Sequence, residues 1–178
     1  QAKSNLNQSG IILLTLLFHT TLIYRDKMYF IAHRGNISGP SPRLENSPEH
    51  IDNALSNGYD VEIDLRGSFA NGFYLGHDHK QYEISIDWLF QRAHKLWIHA
   101  KDIESVSSLI GQSDIFNIFW HQEDDYTITS KGFIWTYPGK VLSPSSICVM
   151  PEEVQEIYDI EQLKNCAGIC SDFIGEYK

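Results

Sequence analysis

From position 28 onward, short apolar runs alternate with stretches that suit helices, and Gly, Pro, Ser and Asn punctuate the joins. The runs MYFIAH, YDVEIDL, FYLGHD, KLWIHAK, IFNIFWH, TITSKGFIWTY, SICVM and AGICSDF read as strands. Helices are predicted over 48–57, 86–93, 102–109 and 152–165, the last being the longest and best patterned. This rhythm predicts a parallel α/β sheet. Ser47 supplies an N-cap before Pro48 at the first helical position, and Gly58 stops that helix. The loop NISGPSPRLENS is long enough for function, whereas YPGKVLSPSS reads as a plain connection. The stretch QEDDYTITSKGFIWTYPGK has an antiparallel flavour that interrupts a regular barrel.

Within YDVEIDLR, Val61, Ile63 and Leu65 alternate with Asp60, Glu62, Asp64 and Arg66, so a strand places every carboxylate on one face. An amphipathic strand with one wet face would read the same way. Residues two apart on a strand lie only ~7 Å from each other, however, so Glu62 and Asp64 repel unless a cation sits between them. The run LWIHAKD repeats the device, with Trp97, His99 and Lys101 on one face. Lys101 would then supply fixed positive charge to an anion, and His99 a ligand. His33 and His77 each follow an apolar run, a placement that suits a pair of groups exchanging protons. Asp78 stands beside His77 as a partner for its imidazole.

In order, His33-Arg34-Gly35, Glu45-Asn46-Ser47, Glu62-x-Asp64 and Gly76-His77-Asp78 resemble the glycerophosphodiester phosphodiesterase family, four motifs within about 50 residues. The match is strong from Phe30 to Lys101 and looser beyond, ending in GICSDF, which resembles the family's last-strand segment. The resemblance implies a (β/α)8 TIM barrel and metal-dependent hydrolysis of a phosphodiester, first of all a glycerophosphodiester. It also implies roles: His33 and His77 as the acid-base pair, Arg34 and Lys101 as phosphate holders, Glu62 and Asp64 as metal ligands, and Glu45 as a further acidic group near the metal. At the third metal-binding position the family has a carboxylate and this chain has His99. Mg²⁺ or Ca²⁺ is the first expectation for the ion, and the imidazole also admits Mn²⁺ or Zn²⁺. Barrels of this type usually need about 200 residues or more, so some helices must be reduced or missing.

Length and composition bound the picture further. The 178 residues, 42% apolar, suffice for one domain with a real core, taken as 28–178. A net charge of -9 argues against nucleic acid or an anionic membrane as partner and leaves a small phosphodiester. Cys148, Cys166 and Cys170 form no disulfide framework and read as reduced core thiols. Residues 1–27 are a leader, an anchor or a non-native extension; membrane contact is expected only through 9–24. A chain starting at Met28 would be cytoplasmic, and one that keeps the extension secreted or membrane-anchored. Two alternatives stand beside the hydrolase. One is a sphingomyelinase D-like phospholipase with Trp120, Tyr126, Trp135 and Tyr137 as an apolar rim, and the other an inactive barrel that binds a phosphorylated ligand.

Overall fold

The computed structural model describes residues 28–154 and 157–178. The extension 1–27, with its expected membrane contact at 9–24, lies outside the described residues. Among the described residues no helix is long and apolar enough to cross a membrane.

Ten strands form one mixed, largely parallel sheet. They are β1 (Tyr29–His33), β2 (Asp60–Ser68), β3 (Gly72–Leu75), β4 (Tyr82–Ile84), β5 (Leu96–Ala100), β6 (Asn117–Phe119), β7 (Tyr126–Ile128), β8 (Ile134–Thr136), β9 (Ser146–Val149) and β10 (Gly168–Ser171). The parallel part runs β6-β5-β2-β1-β10-β9-β8. The second half of β2 leaves β5 and pairs antiparallel with β3, which pairs antiparallel with β4; β7 is likewise antiparallel to β8.

Among the described residues four helices pack around this sheet: α1 (Pro48–Ser56), α2 (Ile86–Arg92), α3 (Ile103–Leu109) and α4 (Ile160–Lys164). The Ser47 side chain caps α1 with Pro48 in its first turn, and Ile51 and Ala54 are its buried face. No helix lies between β6 and β8 or between β8 and β9. The helix expected over 152–165 is not one element. A 3₁₀ turn covers Pro151–Val154, and α4 starts afresh after Asp159, whose extended backbone and reciprocal bonds with Gln162 make a capping box.

The two faces of the sheet bury different things. Val61, Ile63, Leu65, Ile98 and Ile118 point to the helices and form the larger core. Ile31, Trp97, Phe119, Trp135, Ile147 and Cys170 point the other way and pack on one another. Phe119 of β6 stacks on Trp135 of β8 with centroids 4.4 Å apart, and Trp97 of β5 lies 5.0 Å from Phe133. The two ends of the parallel sheet therefore curl to face each other around an aromatic filling.

The expected shortened (β/α)8 barrel is met in its largely parallel sheet and reduced helices, but among the described residues the barrel does not close: β6 pairs with neither β7 nor β8. Ser130 spans that seam, its N–H donating to the Ile118 carbonyl (2.8 Å) and its Oγ accepting from the Ile118 N–H (2.9 Å). The chain between β6 and β8 is spent on the β7 hairpin, which leaves no parallel strand to fill the gap.

Candidate metal and acid-base site

The site grows from one edge of the inner face. In register, His33 stands beside Glu62 and Asp64 beside His99, so adjacent parallel strands bring imidazole and carboxylate within about 5 Å at the backbone. The alternation of 60–66 therefore does its work in the interior rather than on a wet face: Glu62 and Asp64 are buried. Asp60, one layer deeper, accepts from Trp97 Nε1 at 3.2 Å.

After His33 the chain reverses tightly, with Arg34 at φ 52° and Gly35 at φ 90°. A Cβ on Gly35 would stand 2.8 Å from the His50 ring and 3.1 Å from the His50 carbonyl carbon, so glycine is required for the close approach of α1. A left-handed arginine costs about 1–3 kcal/mol. It is held there by its own N–H, which donates to the Glu62 carbonyl (3.0 Å) and reaches Glu62 Oε2 (3.3 Å). The Arg34 guanidinium contacts Glu45 Oε2 at 3.2 Å and Asp64 Oδ2 at 3.0 Å.

Asp64 is gripped on one side. Asn46, itself at φ 62°, donates to Asp64 Oδ2 (2.9 Å) and accepts from the Asp64 N–H (2.9 Å). On the other side, buried Oδ1 accepts no hydrogen bond among the described residues. His99 Nδ1 stands 3.4 Å from it, Lys101 Nζ 3.8 Å, and Glu62 Oε1 is 3.8 Å from the same His99 nitrogen. Glu62, Asp64 and His99 each offer a ligand atom, all within 4.8 Å of one another.

Electrostatics separate the two acids. Burial pushes the Glu62 carboxyl up, and the neighbouring Asp64 charge adds to that, against the pull of His33, His99 and Arg34. Burial also works to raise Asp64, but the nearby His99 imidazole, the Arg34 charge and Asn46 outweigh it and hold its carboxyl well below the usual range.

The His99 ring bears on whether an ion fits. His99 Nε2 faces the His121 carbonyl at 3.0 Å, and a carbonyl only accepts, so Nε2 carries the proton. Nδ1 is then aimed at two acidic oxygens, one of them orphaned, at separations too long for a good hydrogen bond. Glu62, Asp64 and His99 therefore form a group that could hold a metal ion, with the histidine oriented by a backbone carbonyl.

His33 Nδ1 pairs with Asp172 Oδ1 at 2.8 Å, leaving Nε2 toward Glu62 Oε2 at 3.9 Å. Burial works to lower the His33 pKa, yet the Asp172 bond and the Glu62 charge carry it above 6.5. A cavity of about 430 Å³ is lined by His33, Arg34, Glu62, His77, His99 and Lys101 on one side, and by Trp120, His121, Trp135 and Tyr137 on the other. His77 is part-exposed, with Nδ1 2.7 Å from Asp78 Oδ1. It lies beyond the end of β3, because that strand stops at Leu75 and runs antiparallel, not as a barrel strand.

Of the expected residues, His33, Arg34, Glu62, His77, His99 and Lys101 meet on this one cavity. Glu45 stands apart from the trio, its two oxygens taken by Arg34 and by Asn36 at 3.1 Å. Of the proposed rim, Trp135 is buried in the aromatic filling, while Trp120, Tyr126 and Tyr137 are exposed. The three cysteines are free and buried.

Sequence reasoning assigned no role to Asp172, Asn36, Asn46 or Arg66. Asn36 donates to Asp172 Oδ1 (2.8 Å) as well as to Glu45, and its Oδ1 meets His50 Nε2 at 3.0 Å. Arg66 donates to the carbonyls of Gly76 (3.0 Å), Lys101 (3.4 Å) and His77, tying the two loops that carry His77 and Lys101. The polar pair Ser171-Asp172 at the end of the last apolar run was the available signal for Asp172.

No family model matches the sequence. No curated protein matches it either. Among solved structures, the fold matches a crystal structure of a glycerophosphodiester phosphodiesterase from Thermotoga maritima, with a TM-score of 0.48 at 13% identity over 85% of this chain and 98% of that one.

Proposed function

We propose that this protein hydrolyses a phosphodiester with the help of a divalent metal ion, and that its substrate is a glycerophosphodiester cleaved to an alcohol and glycerol 3-phosphate. The observation that carries the reading is the trio of buried Glu62 and Asp64 with half-buried His99 and its orphaned Asp64 oxygen, opening on a cavity shared with His33 and His77. The motif order that resembles the phosphodiesterase family supports the substrate class.

Glu62, Asp64 and His99 would hold the ion, which when bound polarises the phosphoryl group as a Lewis acid. Lys101 and Arg34 place positive charge where the phosphate's charge grows. With its Nδ1 proton held by Asp172, His33 offers Nε2 as the base that takes a proton from the attacking hydroxyl. His77, oriented the same way by Asp78, gives a proton from Nε2 to the departing alcohol oxygen. By family analogy the substrate's own neighbouring hydroxyl attacks first, and water then opens the product with the two imidazoles exchanging roles.

The exposed Trp120 and Tyr137 on the far wall favour a second reading, in which the diester belongs to a choline phospholipid whose chain rests on that rim. A panel of glycerophosphodiesters, lysophospholipids and sphingomyelin, assayed with Mg²⁺, Ca²⁺, Mn²⁺ and Zn²⁺, separates the two. Turnover should fall by about 10²–10⁴-fold in His33→Ala and in His77→Ala. Absence of turnover with every ion, or turnover indifferent to both variants, leaves a phosphate-binding module in place of an enzyme.

A further inference from the structure

The expectation of Mg²⁺ or Ca²⁺ rests on an oxygen-only site, and the geometry around His99 departs from that in three ways. First, the nitrogen is a fixed donor: the His121 carbonyl holds the proton on Nε2, and Phe119 stacks on the ring with centroids 4.9 Å apart and planes 16° apart. The imidazole can neither turn away nor present its other nitrogen. Second, the oxygen supply is short. Asp64 Oδ2 is occupied by Asn46 and Arg34, and both Glu45 oxygens are occupied by Arg34 and Asn36. A Ca²⁺ site wants six to eight oxygens, and this one offers few that are uncommitted.

Third, the charge is already balanced. The carboxylates of Glu62 and Asp64 face Arg34 Nε, 3.0 Å from Asp64, and Lys101 Nζ, 3.8 Å from it. An ion held mainly by attraction to acidic charge gains little from two acids that sit beside two cations, whereas an ion that bonds to an imidazole lone pair keeps that contribution.

We infer that the centre formed by Glu62, Asp64 and His99 selects a first-row transition ion such as Mn²⁺, Fe²⁺, Co²⁺ or Zn²⁺ over Mg²⁺ and Ca²⁺, with His99 Nδ1 as the selecting atom and the His121 carbonyl as the group that aims it. This rests on the trio being a metal centre, and it narrows the cofactor of the proposed hydrolase.

Calorimetric titration of the metal-free full chain with Mg²⁺, Ca²⁺, Mn²⁺ and Zn²⁺ at one pH tests it, beside long-range ¹H–¹⁵N spectra of the histidine rings. Mn²⁺ and Zn²⁺ should bind at least roughly tenfold more tightly than Mg²⁺ or Ca²⁺, and His99→Glu, which restores an oxygen donor, should shrink that ratio. Zn²⁺ should shift His99 Nδ1 before the rings of exposed His79 and His94, and this readout needs no variant to fold. Equal affinity for Mg²⁺ and Mn²⁺, or a His99 Nδ1 signal unmoved by Zn²⁺, overturns the selection while leaving a metal-dependent hydrolase standing. Failure of all four ions to bind overturns the selection and the metal centre together.

Discussion

Asp172 gives His33 its direction, and the consequence can be measured. The carboxylate fixes the Nδ1 proton and carries the imidazole's pKa above 6.5 against the opposing effect of burial. Because the folded value is the raised one, protonated His33 contributes stability that is complete below about pH 6.5 and fades as the pH climbs through the folded value. Asp172→Asn should lower the His33 midpoint in an NMR titration of the metal-free protein and move the acid limb of kcat/KM to lower pH. It should also reduce kcat by about 10²-fold or more with little change in KM, since a base left in the wrong tautomer cannot take the proton. An unchanged midpoint would show that Asp172 does not govern His33. Single residues were legible in the sequence where the pattern was local. The alternation through Glu62 and Asp64 could be read from seven neighbouring positions. The pairing of His33 with Asp172 spans 139 positions and exists only because β1 and β10 are neighbours.

At the level of elements, the strand-end positions hold but their connections differ from a regular alternation. Caps and stops were readable: Ser47 and Pro48 start α1 as expected, and β1, β2, β5, β6, β9 and β10 fall on the apolar runs. The segment 152–165 misled because its apolar spacing suits a helix while Asp159 and Gln162 favour a fresh start. The FYLGHD run misled in direction: β2 is long enough to fold back with β3, which hands His77 to a loop. That loop depends on Gly76 at φ 143°, where a Cβ would lie 2.2 Å from the His79 carbonyl oxygen. Gly76→Ala should therefore cost about 1–3 kcal/mol in chemical denaturation and lower kcat by displacing His77. A variant as stable and active as the parent would show that this turn has slack.

Across the whole molecule, the curled sheet delivers groups from three strands, β1, β2 and β5, to one cavity although its ladder is not closed. The aromatic filling makes that possible: Trp97, Phe119, Phe133 and Trp135 hold the two ends together where strand pairing does not. A parallel sheet was legible from rhythm alone, whereas the open seam was not, since it depends on how the β7 hairpin uses the chain between β6 and β8. The overall charge of -9 coexists with Arg34 and Lys101 at the cavity, where they offset the Glu62 and Asp64 carboxylates. The proposed function turns on a cation among three side chains, and anomalous diffraction from crystals of the protein grown with Mn²⁺ asks for it directly. The account predicts one strong peak at roughly 2.0–2.3 Å from Asp64 Oδ1, a Glu62 oxygen and His99 Nδ1. A cavity without a peak, with His99 Nδ1 bonded through a proton to Asp64 instead, would contradict it.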